Sequence, residues 1–270
     1  MTVTEWLGTD QMRLDIWEKK YRYENETFDE WLFRVAGGNP EVMRLIKEKK
    51  FLPGGRILAG RGLSSADRKV TLSNCYVTDT DDSIEDIFET AKKIARTFSY
   101  GGGIGVDISK LAPKGAKVHN SAKESTGAVS FMDLYSMVTG LIGQSGRRGA
   151  LMLSMSCNHP DIEEFIDVKN DLSRVNYANI SVRMTNDFMK AVANDEDYTL
   201  SFTRKATGEV IEKTVRARDV FRKIAENNWR NGEPGMLFWD TITGYNLLSN
   251  TPGFEYAGTN PCKRLCRAWK

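Results

Sequence analysis

Apolar positions along the chain follow two rhythms, and these predict its elements. Ile84, Ile87, Phe88, Ala91, Ile94, Ala95 and Phe98 recur at three- and four-residue steps, so they share one face of a long helix capped by Asp82 or Ser83. The same spacing over residues 28–35 and 41–46, broken by Gly37-Gly38-Asn39-Pro40, predicts two shorter helices that serve as scaffold. Residues 51–58 carry too much glycine and proline for a helix and read as a loop. Residues 69–77 are rich in β-formers and predict a buried strand holding Cys75, a position where cysteine usually acts as a small core hydrophobe. Further on, the pattern predicts a helix opening at Ser125-Thr126-Gly127 and a strand over 150–156. A short helix with Pro160 in its first turn and a polar loop over 170–177 come next, then a strand over 178–184 and a helix near 186–192. Residues 198–202 read as a hairpin strand, 215–229 as helix, 236–239 as strand and 241–248 as helix. Strands alternating with helices in this way predict an α/β fold with a mostly parallel sheet. No internal repeat or linker breaks it.

Composition narrows the function classes. At 270 residues and 40% hydrophobic content the chain can build a large core. A net charge of +2 gives no global argument for nucleic acid or an anionic membrane. Met1 to Trp6 lack a basic segment leading into an apolar one, and no apolar run approaches a span of ~20 residues; the expectation is a cytoplasmic protein without a membrane or nucleic-acid partner. Cysteines at 75, 157, 262 and 266, with histidines at 119 and 159, form neither a disulfide framework nor a zinc set, so no metal site is expected.

Chemistry is suggested in three places. Gly101 to Gly105 mimic a dinucleotide fingerprint, but a helix precedes and a strand follows, the reverse of the required order. These glycines either let backbone lie against a small ligand or permit tight packing. Arg147 and Arg148 sit among glycines, as a phosphate-binding turn or a solvated helix end. Finally, Pro261 braces Cys262 just after Gly258, a loop that holds one thiol or simply a thiol near a terminus.

Seven short motifs occur in order: Ser73-Asn74-Cys75, Tyr100 to Gly105, Gly143-Gln144 through Arg147-Arg148-Gly149-Ala150, His159-Pro160-Asp161-Ile162, Asn179-Ile180-Ser181-Val182, Pro234-Gly235 and Asn260-Pro261-Cys262. Together they resemble the large catalytic subunit of ribonucleotide reductase, closest to the adenosylcobalamin-dependent branch, with the di-iron-dependent branch as the alternative. The resemblance implies the N-terminal half of a ten-stranded α/β barrel over residues 51–262, ending at a central finger loop. A small helical region, 1–50, precedes it and an atypical tail, 263–270, follows. It implies a thiyl radical on Cys262 that removes the ribose 3′ hydrogen, Asn260 on the sugar hydroxyls and Cys75 as one of two reducing thiols. Ser73, Asn74, Gly102 and Gly103 would approach the substrate, a ribonucleoside di- or triphosphate. A dNTP or ATP effector would contact Asp82, Ser83, Lys114 and Arg147, with Arg174 in the 170–177 loop relaying its identity to the substrate base. The cofactor implied is adenosylcobalamin or a radical from a di-metal small subunit. The partners implied are a chain carrying the second half-barrel and a second copy docked through the effector-site helices.

Two departures qualify this. Ala112 stands where the family often carries an arginine for effector phosphate, and Lys263-Arg264 follow Cys262 where a glycine and a catalytic glutamate are expected. An arginine has no acceptor and stays protonated, so it cannot be that base. The expectation is therefore a chain inactive alone, exposing a core face and associating through it. It would work as the first piece of a split or interrupted reductase, or persist as a non-catalytic effector-binding remnant.

Overall fold

A computed structural model describes residues 1–65, 69–118, 123–142, 150–205, 207–246 and 250–261, and the backbone of Leu265 and Cys266. The chain divides into two compact units, Met1–Asn74 and Cys75–Lys270.

The first unit is helical: α1 (Val3–Leu7), α2 (Gln11–Ile16, running on through one π turn, Trp17–Tyr21), α3 (Phe28–Ala36), α4 (Pro40–Lys47) and α5 (Gly55–Gly60). Thr27 and Glu30 form a capping box that starts α3, and the Asn39 side chain caps α4 ahead of Pro40. Trp6, Trp17, Phe28 and Trp31 build its core, with neighbouring ring centroids 5.1–6.3 Å apart. That core explains a departure from expectation. Residues 55–60, too glycine-rich to predict as helix, wind one because Leu58 is buried in the aromatic cluster, and tertiary packing outweighs weak propensity over so short a stretch. The Glu26 carboxylate accepts from Arg34 at 2.6 and 2.9 Å, fixing the chain between the π turn and α3.

The second unit follows the predicted alternation: β1 (Cys75–Thr78), α6 (Ile84–Ser99), β2 (Gly103–Asp107), α7 (Ser130–Leu141), β3 (Leu151–Ser156), α8 (Ile162–Asp167), β4 (Ala178–Met184), α9 (Asn186–Asn194), β5 (Asp197–Thr203), β6 (Val210–Arg216), α10 (Ala217–Asn231), β7 (Gly235–Phe238), α11 (Trp239–Gly244), β8 (Gly258–Thr259) and β9 (Leu265–Cys266). Strands β1, β2, β3, β4 and β7 form one parallel sheet in that order, β5 and β6 an antiparallel hairpin, and β8 pairs with β9.

Some boundaries differ from the sequence expectation. β1 is shorter than 69–77, and β6 occupies residues expected at the start of the next helix. α7 begins at Ser130 rather than Ser125, because Gly127 takes a left-handed φ of +94° and the Ala128 N–H is held by Asp161. α8 begins at Ile162, past Pro160.

Alternation along each strand separates two faces. Ile104 and Val106 of β2, Leu151, Leu153 and Met155 of β3, and Ile180, Val182 and Met184 of β4 share one core with the buried sides of α6 to α10. The helices thus cover a single face, the arrangement of half an α/β barrel. The opposite face is chemically different: Gly103, Gly105 and Asp107 of β2 lie beside Ser154, Ser181 and Arg183 of β3 and β4. No helix among the described residues is long and apolar enough to cross a membrane.

Candidate functional site

The open face of the sheet carries the first group of candidate residues. Gly105 lies at the middle of β2, and the segment around β8 crosses it so closely that a β-carbon there would stand 1.8 Å from the Thr259 carbonyl oxygen and 2.9 Å from Asn260 Cα. A β-carbon on Gly258 would sit 3.5 Å from Asp107 Cβ and 3.7 Å from Val77 Cγ1. The segment therefore passes over β2 from Asp107 back toward Gly103, against the strand direction. Thr259 and Asn260 are each 1% exposed. Cys75, half-buried and not disulfide-bonded, opens β1 as the register partner of Gly103, one step along the same face from the Gly105 crossing.

Polar groups at the other end of this face are tightly tied. Asp107 accepts from Ser154 Oγ at 2.7 Å and pairs with Arg183 at 3.0 Å, and the Arg183 guanidinium lies 3.8 Å from the ring centre of Trp239. The pair fixes the carboxyl ends of β2, β3 and β4 to one another. Cys157, buried near it, is inert by environment: burial pushes its thiol pKa up.

Asp82 and Ser83 lie together at the start of α6. Ser83 is the N-cap, its hydroxyl accepting the Asp86 N–H at 3.1 Å. Asp82 accepts from the Ala112 N–H and from Arg204 Nε, both at 2.9 Å. Both residues line a cavity of about 420 Å³ with Ser125, Thr126 and Phe131, and a second of about 500 Å³ with Lys110 and Ser201. The loop carrying Lys114 is pinned by the His159-Pro160-Asp161 motif. Asp161 accepts from the Lys114 and Ala128 N–H groups at 3.1 Å, and His159 Nε2 is 2.9 Å from the Leu111 carbonyl. Arg174 lies elsewhere, bonded at 2.7 Å to Asp133 of α7, which holds its guanidinium further toward the charged form.

Asn260, Cys75 and Gly103 fall on or over one face, and Asp82 with Ser83 fall on one pair of cavities. Gly102 has a packing reason for lacking a side chain, since a β-carbon there would meet Tyr76 at 2.7 Å and Thr97 at 2.9 Å. Ser73 and Asn74 close the first unit, both exposed. Cys262 and Arg147, with the 143–149 turn and Lys263-Arg264, lie outside the described residues.

Residues 73–266 match the family model for the ribonucleotide reductase barrel domain. The chain belongs to that family. It is 38% identical over 214 residues to a Thermoplasma acidophilum protein named vitamin B12-dependent ribonucleoside-diphosphate reductase, covering 78% of this chain and 27% of that one. A Mycobacterium tuberculosis protein of the same name is 31% identical over 243 residues, covering 89% of this chain and 33% of that one. A solved Actinobacillus ureae class Id ribonucleotide reductase alpha subunit superposes with a TM-score of 0.78 over 100% of this chain and 48% of its own, at 19% identity, and speaks for the fold. The chain spans between a quarter and a third of the length of these curated relatives. The reductase family is the one the seven motifs indicated, and both curated relatives bear the name of its vitamin B12-dependent branch.

Sequence reasoning missed Arg204, which comes from a hairpin 122 residues along the chain from its Asp82 partner. It also missed the work of His159 and Asp161, although their motif was visible, and the singular role of Gly105 within the glycine run.

Proposed function

We propose that this chain is the N-terminal part of a ribonucleotide reductase catalytic subunit, reducing ribonucleotides to deoxyribonucleotides by thiyl-radical chemistry together with a second half-barrel. The observation that carries the reading is the passage of Thr259 and Asn260 over Gly105 toward Gly103 and Cys75. Cys75 opens the strand beside that crossing, on the same face of the sheet. In this reading Asn260 orients the sugar hydroxyls, and the Cys262 thiyl radical takes the 3′ hydrogen and returns it to the same carbon once the 2′ position has been reduced, so that the radical is regenerated. Cys75 gives a proton to the departing 2′ hydroxyl, which leaves as water. Cys75 and a second thiol in the further half-barrel supply two electrons and end as a disulfide. The radical needs a dry setting, and the burial of Asn260 and Thr259 supports one.

Adenosylcobalamin is the cofactor favoured by the names of the relatives, and when bound it supplies the radical that oxidises a cysteine. His159 is not available to it as a ligand, since both ring nitrogens are engaged, Nε2 by the Leu111 carbonyl and Nδ1 by the Asp161 N–H. An effector dNTP or ATP at Asp82 and Ser83 fits the two cavities there, and the exposed Ile84, Phe88, Met137 and Leu141 side chains of α6 and α7 favour a second copy docking on those helices.

A second reading has its own support in Arg264, which stands where the resemblance calls for a carboxylate base: a nucleotide-binding protein without turnover. One experiment separates the two. The chain is co-purified with a polypeptide supplying the second half-barrel, and deoxyribonucleotide formation is measured with a dithiol reductant and adenosylcobalamin. Product that disappears with Cys262→Ser supports the enzyme. dNTP binding without product supports the binder, and product unaffected by Cys262→Ser refutes the thiyl mechanism.

A further inference from the structure

We propose that Arg204, carried by the β5–β6 hairpin, is a positioning residue of the nucleotide site: it fixes the Asp82 carboxylate so that its remaining lone pairs accept a hydroxyl of a nucleoside sugar. This rests on the reading of Asp82 and Ser83 as effector residues and adds to it a residue from a different part of the fold.

The geometry is a four-point knot. Asp82 Oδ2 accepts from Arg204 Nε at 2.9 Å and Oδ1 accepts from the Ala112 N–H at 2.9 Å, while Arg204 Nη1 donates to the Lys117 carbonyl oxygen. Three segments meet here: the start of α6, the loop 112–117 and the end of β5. The Arg204 side chain is 11% exposed and that of Asp82 22%, so the pair is shielded and directional rather than a loose surface contact. An ionised carboxylate has about four lone-pair sites. Two are occupied, and two remain for a ligand.

The hairpin is itself anchored, so Arg204 is delivered rather than merely near. The Ser201 N–H donates to the Asn158 carbonyl at 2.9 Å, and the Phe202 ring packs edge-on against His159 at 5.5 Å. His159 in turn holds Leu111, so hairpin and loop share one support.

The cavity of about 420 Å³ beside the knot suits one ligand class. Ile84, Ile87 and Phe131 give an apolar floor and Ser83, Ser125 and Thr126 give hydroxyls, with Asp82 and Arg204 at the wall. An apolar floor with a few convergent polar groups matches a nucleoside, whose flat base and hydroxylated sugar need one of each. Removing Arg204 would leave Asp82 held at a single point and free to turn away from the sugar.

The test is isothermal titration of the full 270-residue chain with a dNTP and with its 2′,3′-dideoxy analogue. A hydrogen bond from the 3′ hydroxyl to a fixed carboxylate is expected to favour the dNTP by about tenfold or more. Arg204→Gln is expected to cut this preference to less than about threefold, and Arg204→Lys, which keeps the charge but cannot reach both Asp82 and Lys117, to leave it in between. A purely structural arginine would lower both affinities equally and leave their ratio alone. A wild-type ratio in Arg204→Gln overturns the inference. Should Arg204→Gln fail to fold in a thermal melt, Arg204→Lys carries the test, and an undiminished ratio there overturns it. Wild-type chain that binds both ligands equally places the hydroxyl away from Asp82 and also overturns it. Wild-type chain that binds no dNTP refutes the effector reading itself.

Discussion

Gly105→Ala tests the crossing of the sheet directly. The added methyl would stand 1.8 Å from a backbone oxygen and 2.7 Å from its carbon, so the segment at Thr259 must retreat by more than 1 Å or the strand must bend. Neither obstacle is the tip of a flexible side chain, and β2 is held on both sides by β1 and β3. The segment therefore moves. Overpacking of this kind costs about 1–3 kcal/mol, which for a domain of this size lowers the melting midpoint by roughly 2–12 °C. Misplacing a reacting group by about 1 Å costs on the order of 10²-fold in rate, so in the complemented enzyme turnover falls far more than stability. Hydrogen exchange reads the event without relying on activity: the amides of Gly258 to Asn260 lose protection while those of Leu151 to Ser156 keep theirs. Unchanged protection and an unchanged melt in Gly105→Ala would refute the crossing as described.

Three further predictions follow from other parts of the molecule. Cys75→Ser, at a half-buried position at the start of β1, shifts the melt by less than about 0.5–1 kcal/mol but abolishes deoxyribonucleotide formation in the complemented enzyme. Glu26→Gln leaves Arg34 buried without its counter-charge, both side chains being 11% exposed, and lowers unfolding free energy in urea by about 3 kcal/mol. His159 is held below its ordinary pKa of 6.5 chiefly because burial disfavours the charged ring. The folded state therefore binds fewer protons than the unfolded one in the window just below 6.5, so the contribution is full above 6.5 and is lost as pH falls through the folded value. A thermal melt against pH should decline across that window, and His159→Gln should flatten the decline.

Much of the second unit was legible because its signals are local. The period of α6 is set by seven apolar side chains on one face, and the strand at Ala178–Met184 alternates so cleanly that its expected bounds coincide with the observed ones. Where the reading slipped, a distant group had intervened. Asp161 keeps residues 125–129 out of the helix by capturing the Ala128 N–H, and burial of Leu58 winds a helix in a segment whose glycines argue against one. On the sheet face away from the helices, Gly105, Asp107, Ser154 and Arg183 set glycine and polar side chains beside the buried Met152, a mixture that no periodic pattern announces. At the sites, residues carrying motifs were found and those acting through long-range geometry were not. Asn260 and Asp82 belong to recognisable stretches, whereas Arg204 reaches Asp82 only because the hairpin folds back.

Intramolecular cross-linking of thiols bears most directly on the catalytic reading. The native chain is treated with a short bis-maleimide and digested, and the bridged peptides are identified by mass. A single bridge between the peptides containing Cys75 and Cys262, suppressed in Gly105→Ala, is the predicted outcome. Separate modification of the two thiols, with no bridge formed in the folded chain, would contradict the account.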